Sequence, residues 1–144
     1  MLHHVRGRKL SRSTHHRTSL FKNLVKALIA HGRLVTTKEK AKAIQGMIDR
    51  LVSQAKKGPV VGSRLVAKVI VDKKLTARLV GTIAPLFSDR PGGFTRIIPL
   101  GPRRADTANM VRLEWVVAPV EKPIPAPFKK LKSPKSPKIS KSEK

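Results

Sequence analysis

The sequence predicts an α+β fold, with about four helices packed on a small mixed sheet of about three strands. Three observations predict it. Apolar residues recur at helical spacing through much of residues 20–83, alternation at period two marks residues 111–115, and clusters of turn-forming residues separate the two regimes. A basic arm at residues 1–12 precedes the domain, which spans 13–118. A Lys/Pro-rich tail at 119–144 follows it.

The first helix is expected to be capped by Ser13 or Thr14 and to carry Leu20, Phe21, Leu24, Val25, Leu28 and Ile29 along one stripe. Gly32 suits a left-handed cap at its end. "RLVTT" reads as a short extended segment. Thr36 and Glu39 have capping-box spacing ahead of a second helix, whose apolar face is Ala41, Ile44, Ile48, Leu51, Val52 and Ala55. Gly58 and Pro59 close that helix. A third is expected from about Ser63, with Leu65, Val66, Val69 and Ile70. Asp72 can cap a fourth, bearing Leu75, Leu79 and Ile83, and Pro85 should end or kink it.

"DRPGG" at 89–93 is a turn, because proline fixes one φ and the glycines permit positive ones. "FTRIIPL" and "MVRLEWV" are the best strands. In the second, Val111, Leu113 and Trp115 alternate with Arg112 and Glu114, so one face is buried. Pro99 cannot donate to a ladder and belongs at an edge or a strand end. "GPRRADTAN" joins the two strands as a loop displaying Arg103 and Arg104. The tail holds six of the eleven prolines and eight lysines, which cannot support a packed core, so disorder is expected there.

Charge bounds the function. The chain has 32 lysines and arginines against eight acids, a formal net charge of +24, and a compact domain with that excess needs a polyanion to offset its self-repulsion. No cysteine is present, so disulfides and thiolate metal ligation are excluded. No apolar run approaches the length of a membrane span, and the basic start lacks the apolar stretch of a secretory signal.

The excess is concentrated before Glu39, the first acid of the chain. "HHVRGRKLSRSTHHRTS" at 3–19 holds four of the five histidines. As metal ligands they read poorly: His3/His4 and His15/His16 are adjacent pairs that do not converge on one ion, and neither a cysteine nor a nearby carboxylate completes a set. As catalytic groups they lack a local carboxylate to orient them. No nucleophile elbow, phosphate-binding loop or dinucleotide fingerprint occurs. The reading is therefore no enzyme, no metal and no cofactor. Phosphate binding fits better. His3, Arg6, Arg8, Lys9, Arg12, His15, His16, Arg17, Lys22, Arg33 and Lys38 can each donate to phosphate oxygens, Lys40 extends the set, and Gly7 allows close backbone approach. Arg90, Arg96, Arg103 and Arg104 form a later group. Four Phe, one Trp and no Tyr leave little for base stacking, so recognition should rest on the backbone and shape of a folded RNA. An architectural DNA-binding protein is the alternative.

Three stretches resemble one family. "MLHHVRGRKLSR", "HHRTSLFKNLVKALIAHGRLVTTKEKAKAI" and "DRPGGFTRIIPLGPRRAD" are similar, in order and spacing over about residues 1–118, to the bacterial large-subunit ribosomal protein L-seventeen family. Ala105 and Asn109 depart from the Gly and Pro common there. The resemblance implies an α+β structural constituent of the large (50S) subunit, cytoplasmic and ribosome-associated. It implies 23S rRNA and neighbouring large-subunit ribosomal proteins as partners, with no membrane and no small-molecule substrate. It also implies that the arm enters the rRNA.

Overall fold

The computed structural model describes residues 7–118; His3 and Arg6, with the tail at 119–144, lie outside the described residues. The first helix, α1 (Thr14–His31), starts at Ser13, whose side chain makes no capping hydrogen bond. It buries Val25, Leu28 and Ile29, with Phe21 and Leu24 packed at the margin of the core. Gly32 ends it at φ 74°, and its N–H donates to the Leu28 carbonyl at 2.8 Å. Only glycine takes that left-handed conformation without a Cβ penalty.

Strand β1 (Arg33–Thr37) leads directly into α2 (Lys38–Ala55). The stripe read from the sequence is the buried face of α2: Ala41, Ile44, Ile48, Leu51, Val52 and Ala55. The capping box is not formed. Thr36 is held on the inner face of β1, opposite Val111 and 7% exposed, so the helix begins one residue later with Thr37 as an N-cap that makes no side-chain bond. Glu39 is thereby free to pair elsewhere.

Helix α3 (Pro59–Ala67) starts four residues earlier than the sequence predicts. Pro59 takes the first-turn position, where a missing N–H costs nothing and a fixed φ helps. Gly62 lets this first turn approach α2 closely. A Cβ built there would lie 2.6 Å from the Ala55 carbonyl oxygen and 3.1 Å from that of Gln54. The α3 backbone thus rests on the end of α2, and Gly62→Ala is expected to lower the unfolding free energy by about 1–3 kcal/mol, the usual cost of overpacking. Urea denaturation would read this as a lower midpoint at unchanged m.

Asp72 caps α4 (Lys73–Arg78) as expected, its Oδ1 accepting from the Lys74 N–H at 2.9 Å. Beyond it the chain widens into a π turn (Leu79–Ile83) and tightens into a 3-10 turn (Ala84–Phe87). Pro85 has no N–H for the Gly81 carbonyl, so the α ladder cannot continue through it.

Strands β2 (Thr95–Pro102) and β3 (Asn109–Trp115) form a hairpin, and β3 also pairs with β1, giving the order β1-β3-β2. Both pairings are antiparallel, so the sheet is not mixed. The hairpin lays β3 antiparallel to β2, and β1 meets the other edge of β3 in the same sense. Pro99 sits in edge strand β2 at a register shift ending at Gly101, a place where a missing donor does least harm. Val111, Leu113 and Trp115 face the helices. The core is closed by Phe87 against Phe94, with centroids 5.2 Å apart edge to face, and against Trp115 at 6.0 Å.

Candidate nucleic-acid interface

The register of the sheet sorts the cations into two groups. Thr37, Met110 and Gly101 stand side by side across the three strands, at the end from which the β2–β3 loop projects. Helix α2 begins immediately after Thr37, so Lys38 and Lys40 lie at this end together with Arg103 and Arg104. The arm is brought to the same place. Arg8 pairs with Glu39 in the first turn of α2, which joins the residues before α1 to the start of α2. Arg33, Glu114 and Arg96 stand side by side at the opposite end, and Arg90 precedes β2 there. An eight-residue strand at about 3.3 Å per residue separates the two ends by roughly 20–25 Å. Arg90 and Arg96 are therefore not in one site with Arg103 and Arg104.

The arm is shaped as well as charged. Gly7 (φ 86°), Leu10 (φ 55°) and Ser11 (φ 49°) adopt left-handed conformations, and the Arg12 N–H donates to the Lys9 carbonyl at 3.3 Å. A leucine in that region costs of order 1 kcal/mol or more. The Arg17 guanidinium donates to the Arg12 carbonyl at 3.2 Å and holds the turn against α1. The side chains of Arg8, Lys9 and Arg12 remain exposed, as do His15 and His16; Arg17 and Lys22 are half-buried along α1.

Two helix starts add to this field. Helices α1 and α2 have 18 residues each, and neither N-cap side chain takes up the free N–H groups of the first turn. Such ends carry about half a positive charge and suit phosphate oxygens. Lys38 and Lys40 lie in the first turn of α2, Arg8 reaches that turn through Glu39, and Lys9 and Arg12 lie in the arm that leads into α1.

The loop between β2 and β3 is built on one carboxylate. Arg103 donates from Nε to Asp106 Oδ1 at 2.9 Å and from Nη2 to Oδ2 at 2.5 Å, and the Ala108 N–H donates to Oδ1 at 3.2 Å. Thr107 turns the chain at φ 51°, its N–H donating to the Arg103 carbonyl at 2.9 Å. Arg103 is thus held within the loop and Arg104 is left exposed beside it. The Arg103 hydrogen bonds, followed by that from Ala108, lower the Asp106 carboxyl to about 2. A lowered folded pKa means a contribution present above the ordinary carboxylate value and lost as the pH falls through about 2. The Ala108 amide shift is expected to titrate with a midpoint near 2 and to lose that titration in Asp106→Asn.

The sequence reading missed the acids that hold the arginines. Glu39 serves Arg8, Asp106 serves Arg103, and Glu114 takes Arg96 through its Oε1 at 2.6 Å. Spacing of three residues was the available signal for Arg103 and Asp106; the other two pairs depend on tertiary register. Among the described residues, no group of three His, Cys, Asp or Glu is placed to hold a metal ion, and no helix is long and apolar enough to cross a membrane.

Residues 20–116 match the sequence profile of the family described as Ribosomal protein L17. The chain belongs to the ribosomal protein L17 family. A relative from Thermus thermophilus, named Large ribosomal subunit protein bL17, is 43% identical over 117 residues, covering 81% of this chain and 99% of that one. The protein of the same name from Rubrobacter xylanophilus is 43% identical over 121 residues, 84% of this chain and all of its own. That from Anaeromyxobacter sp. strain K is 43% identical over 116 residues, 81% of this chain and 73% of its own. The L17 profile covers every helix and strand from within α1 to the end of β3, including Glu39, Arg103 and Asp106.

Proposed function

We propose that this L17-family protein is a structural, non-catalytic constituent of the large ribosomal subunit that binds folded 23S rRNA. The observation that carries the proposal is the gathering of arm, α1 start, α2 start and β2–β3 loop at one end of the sheet. Cations from four separate segments converge there around two uncapped helix starts, a geometry suited to several phosphates of a folded backbone. Residues 1–12 act as the rRNA anchor of the 13–118 domain, and the tail at 119–144 adds nonspecific positive charge. The exposed Arg8–Glu39 pair contributes little by itself, as surface pairs do, so a phosphate can displace the carboxylate and take Arg8.

The protein works in the cytoplasm, on the ribosome, against rRNA and neighbouring large-subunit proteins. Family membership favours this over DNA packaging. Sedimentation of a lysate through a salt-washed sucrose gradient tests the choice: stoichiometric migration with large subunits is expected, and migration with nucleoid DNA would overturn it.

A further inference from the structure

We infer that the open face of the sheet is a second rRNA contact, where Arg33, Arg96 and Arg112 take phosphates of the RNA backbone. The inference rests on the ribosomal reading above and adds to it a site away from the arm end of the sheet. Side chains alternate between the two faces of a strand. Leu34, Ile97 and Leu113 pack on the core, so Arg33, Arg96 and Arg112, each adjacent to one of them, turn to the other face. Arg33, Glu114 and Arg96 form one row across the three strands, and Val35, Arg112 and Ile98 form the next row on that face.

Three arginines here share one carboxylate, which leaves an excess of two positive charges. Glu114 Oε1 accepts from Arg96 Nε at 2.6 Å and lies 2.6 Å from its Nη2, so the guanidinium is held over the face with its side chain 58% exposed. Arg96 keeps further N–H groups beyond those that Glu114 takes. Among the described residues, no carboxylate lies within ion-pair distance of Arg33 or Arg112. Arg33, Arg96 and Glu114 line a hollow of about 230 Å³ that opens beside Gly32. Val35, the neighbour of Arg112 across the strands, is exposed.

Phosphate suits this surface. A guanidinium fork brackets two oxygens of one phosphate, and the uncompensated charge replaces its counterions. Bases find no stacking platform, because Trp115 is the strands' only aromatic residue and it is buried against Phe87. An acidic protein segment has the same sign of charge, yet the net +24 of this chain calls for a polyanion that reaches more than one of its surfaces. Contacts at both ends of the sheet, roughly 20–25 Å apart, let one small domain hold two segments of RNA together.

The test measures binding of the full chain to 23S rRNA over a salt series, with the fold of each variant checked by circular dichroism. Arg33→Ala with Arg112→Ala leaves the Arg96–Glu114 pair intact. It is expected to weaken binding roughly 20–60-fold at about 0.1 M salt and to flatten the slope of log K against log salt by about 1.4–1.8 units. Arg33→Lys with Arg112→Lys keeps the charge and should keep the slope. Val35→Glu sets a carboxylate next to Arg112 without removing an arginine, and is expected to bind roughly tenfold more weakly than Val35→Gln. The Val35 pair decides alone if the alanine variant loses its fold. An unchanged slope in the alanine variant, a slope flattened equally by lysine, or equal affinity of the two Val35 variants would overturn the inference. An acidic protein segment or this chain's own tail on the face gives the first and last of these results. Alanine at Arg8, Lys9 and Arg12 is the separate check on the RNA reading. A slope flattened there and unchanged here overturns the inference alone; slopes unchanged in both overturn the two together.

Discussion

Replacing Arg8, Lys9 and Arg12 together by alanine is expected to weaken binding to 23S rRNA by roughly two to three orders of magnitude at about 0.1 M salt. The size follows from counterion release, in which each phosphate contact contributes about 0.7–0.9 to the slope of log K against log salt. Three lost contacts flatten that slope by about 2–3 units, and the affinity difference shrinks as salt approaches about 1 M. The three side chains are exposed and the arm precedes α1, so the folded domain should keep its circular dichroism spectrum. Measuring affinity over a salt series separates this from a misfolded variant, which would lose binding without the ordered change of slope. An unchanged slope would place the three side chains in solvent.

Phe94→Ala is expected to cost about 3–5 kcal/mol, enough to leave a small domain of ordinary stability near its threshold. Phe94 has no exposed surface and packs edge to face on Phe87. Its backbone ties two layers together: its N–H donates to Asp49 Oδ1 on α2 at 3.3 Å, and its carbonyl accepts from the Val116 N–H at 3.0 Å. Alanine keeps those backbone bonds but leaves a cavity against Phe87 and removes the ring under the Lys56 ammonium. Phe94→Leu fills most of the space and should cost markedly less. Urea unfolding midpoints of the two variants give the comparison.

Local patterns carried much of the fold. The buried face of α2 and the alternation of β3 were readable because each element packs one side against the core, and Gly32 and Asp72 end and begin helices through bonds made within a few residues. The early start of α3 was not readable. "PVVG" has no helical period of its own, and Gly62 matters only because the Ala55 carbonyl lies against it. The capping box was lost for a related reason. Thr36 is claimed by the sheet, and Glu39 is drawn to an arginine far away in sequence.

The candidate interface was legible as a list of cations and illegible as an arrangement. A run of residues without acid before Glu39 points to phosphate on charge alone. Which of those cations stand together is set by strand register and by the Arg8–Glu39 pair. The same register separates Arg90 and Arg96 from Arg103 and Arg104, which sequence proximity had grouped.

The central claim is that the cations gathered at the arm end of the sheet neutralise folded rRNA. Tethering an iron chelate to Ser13→Cys, the only thiol in the chain, and generating hydroxyl radicals in purified large subunits tests it most directly. Cleavage of 23S rRNA at a few discrete positions is the predicted result. Intact RNA, in subunits shown to contain the tethered protein, would contradict it.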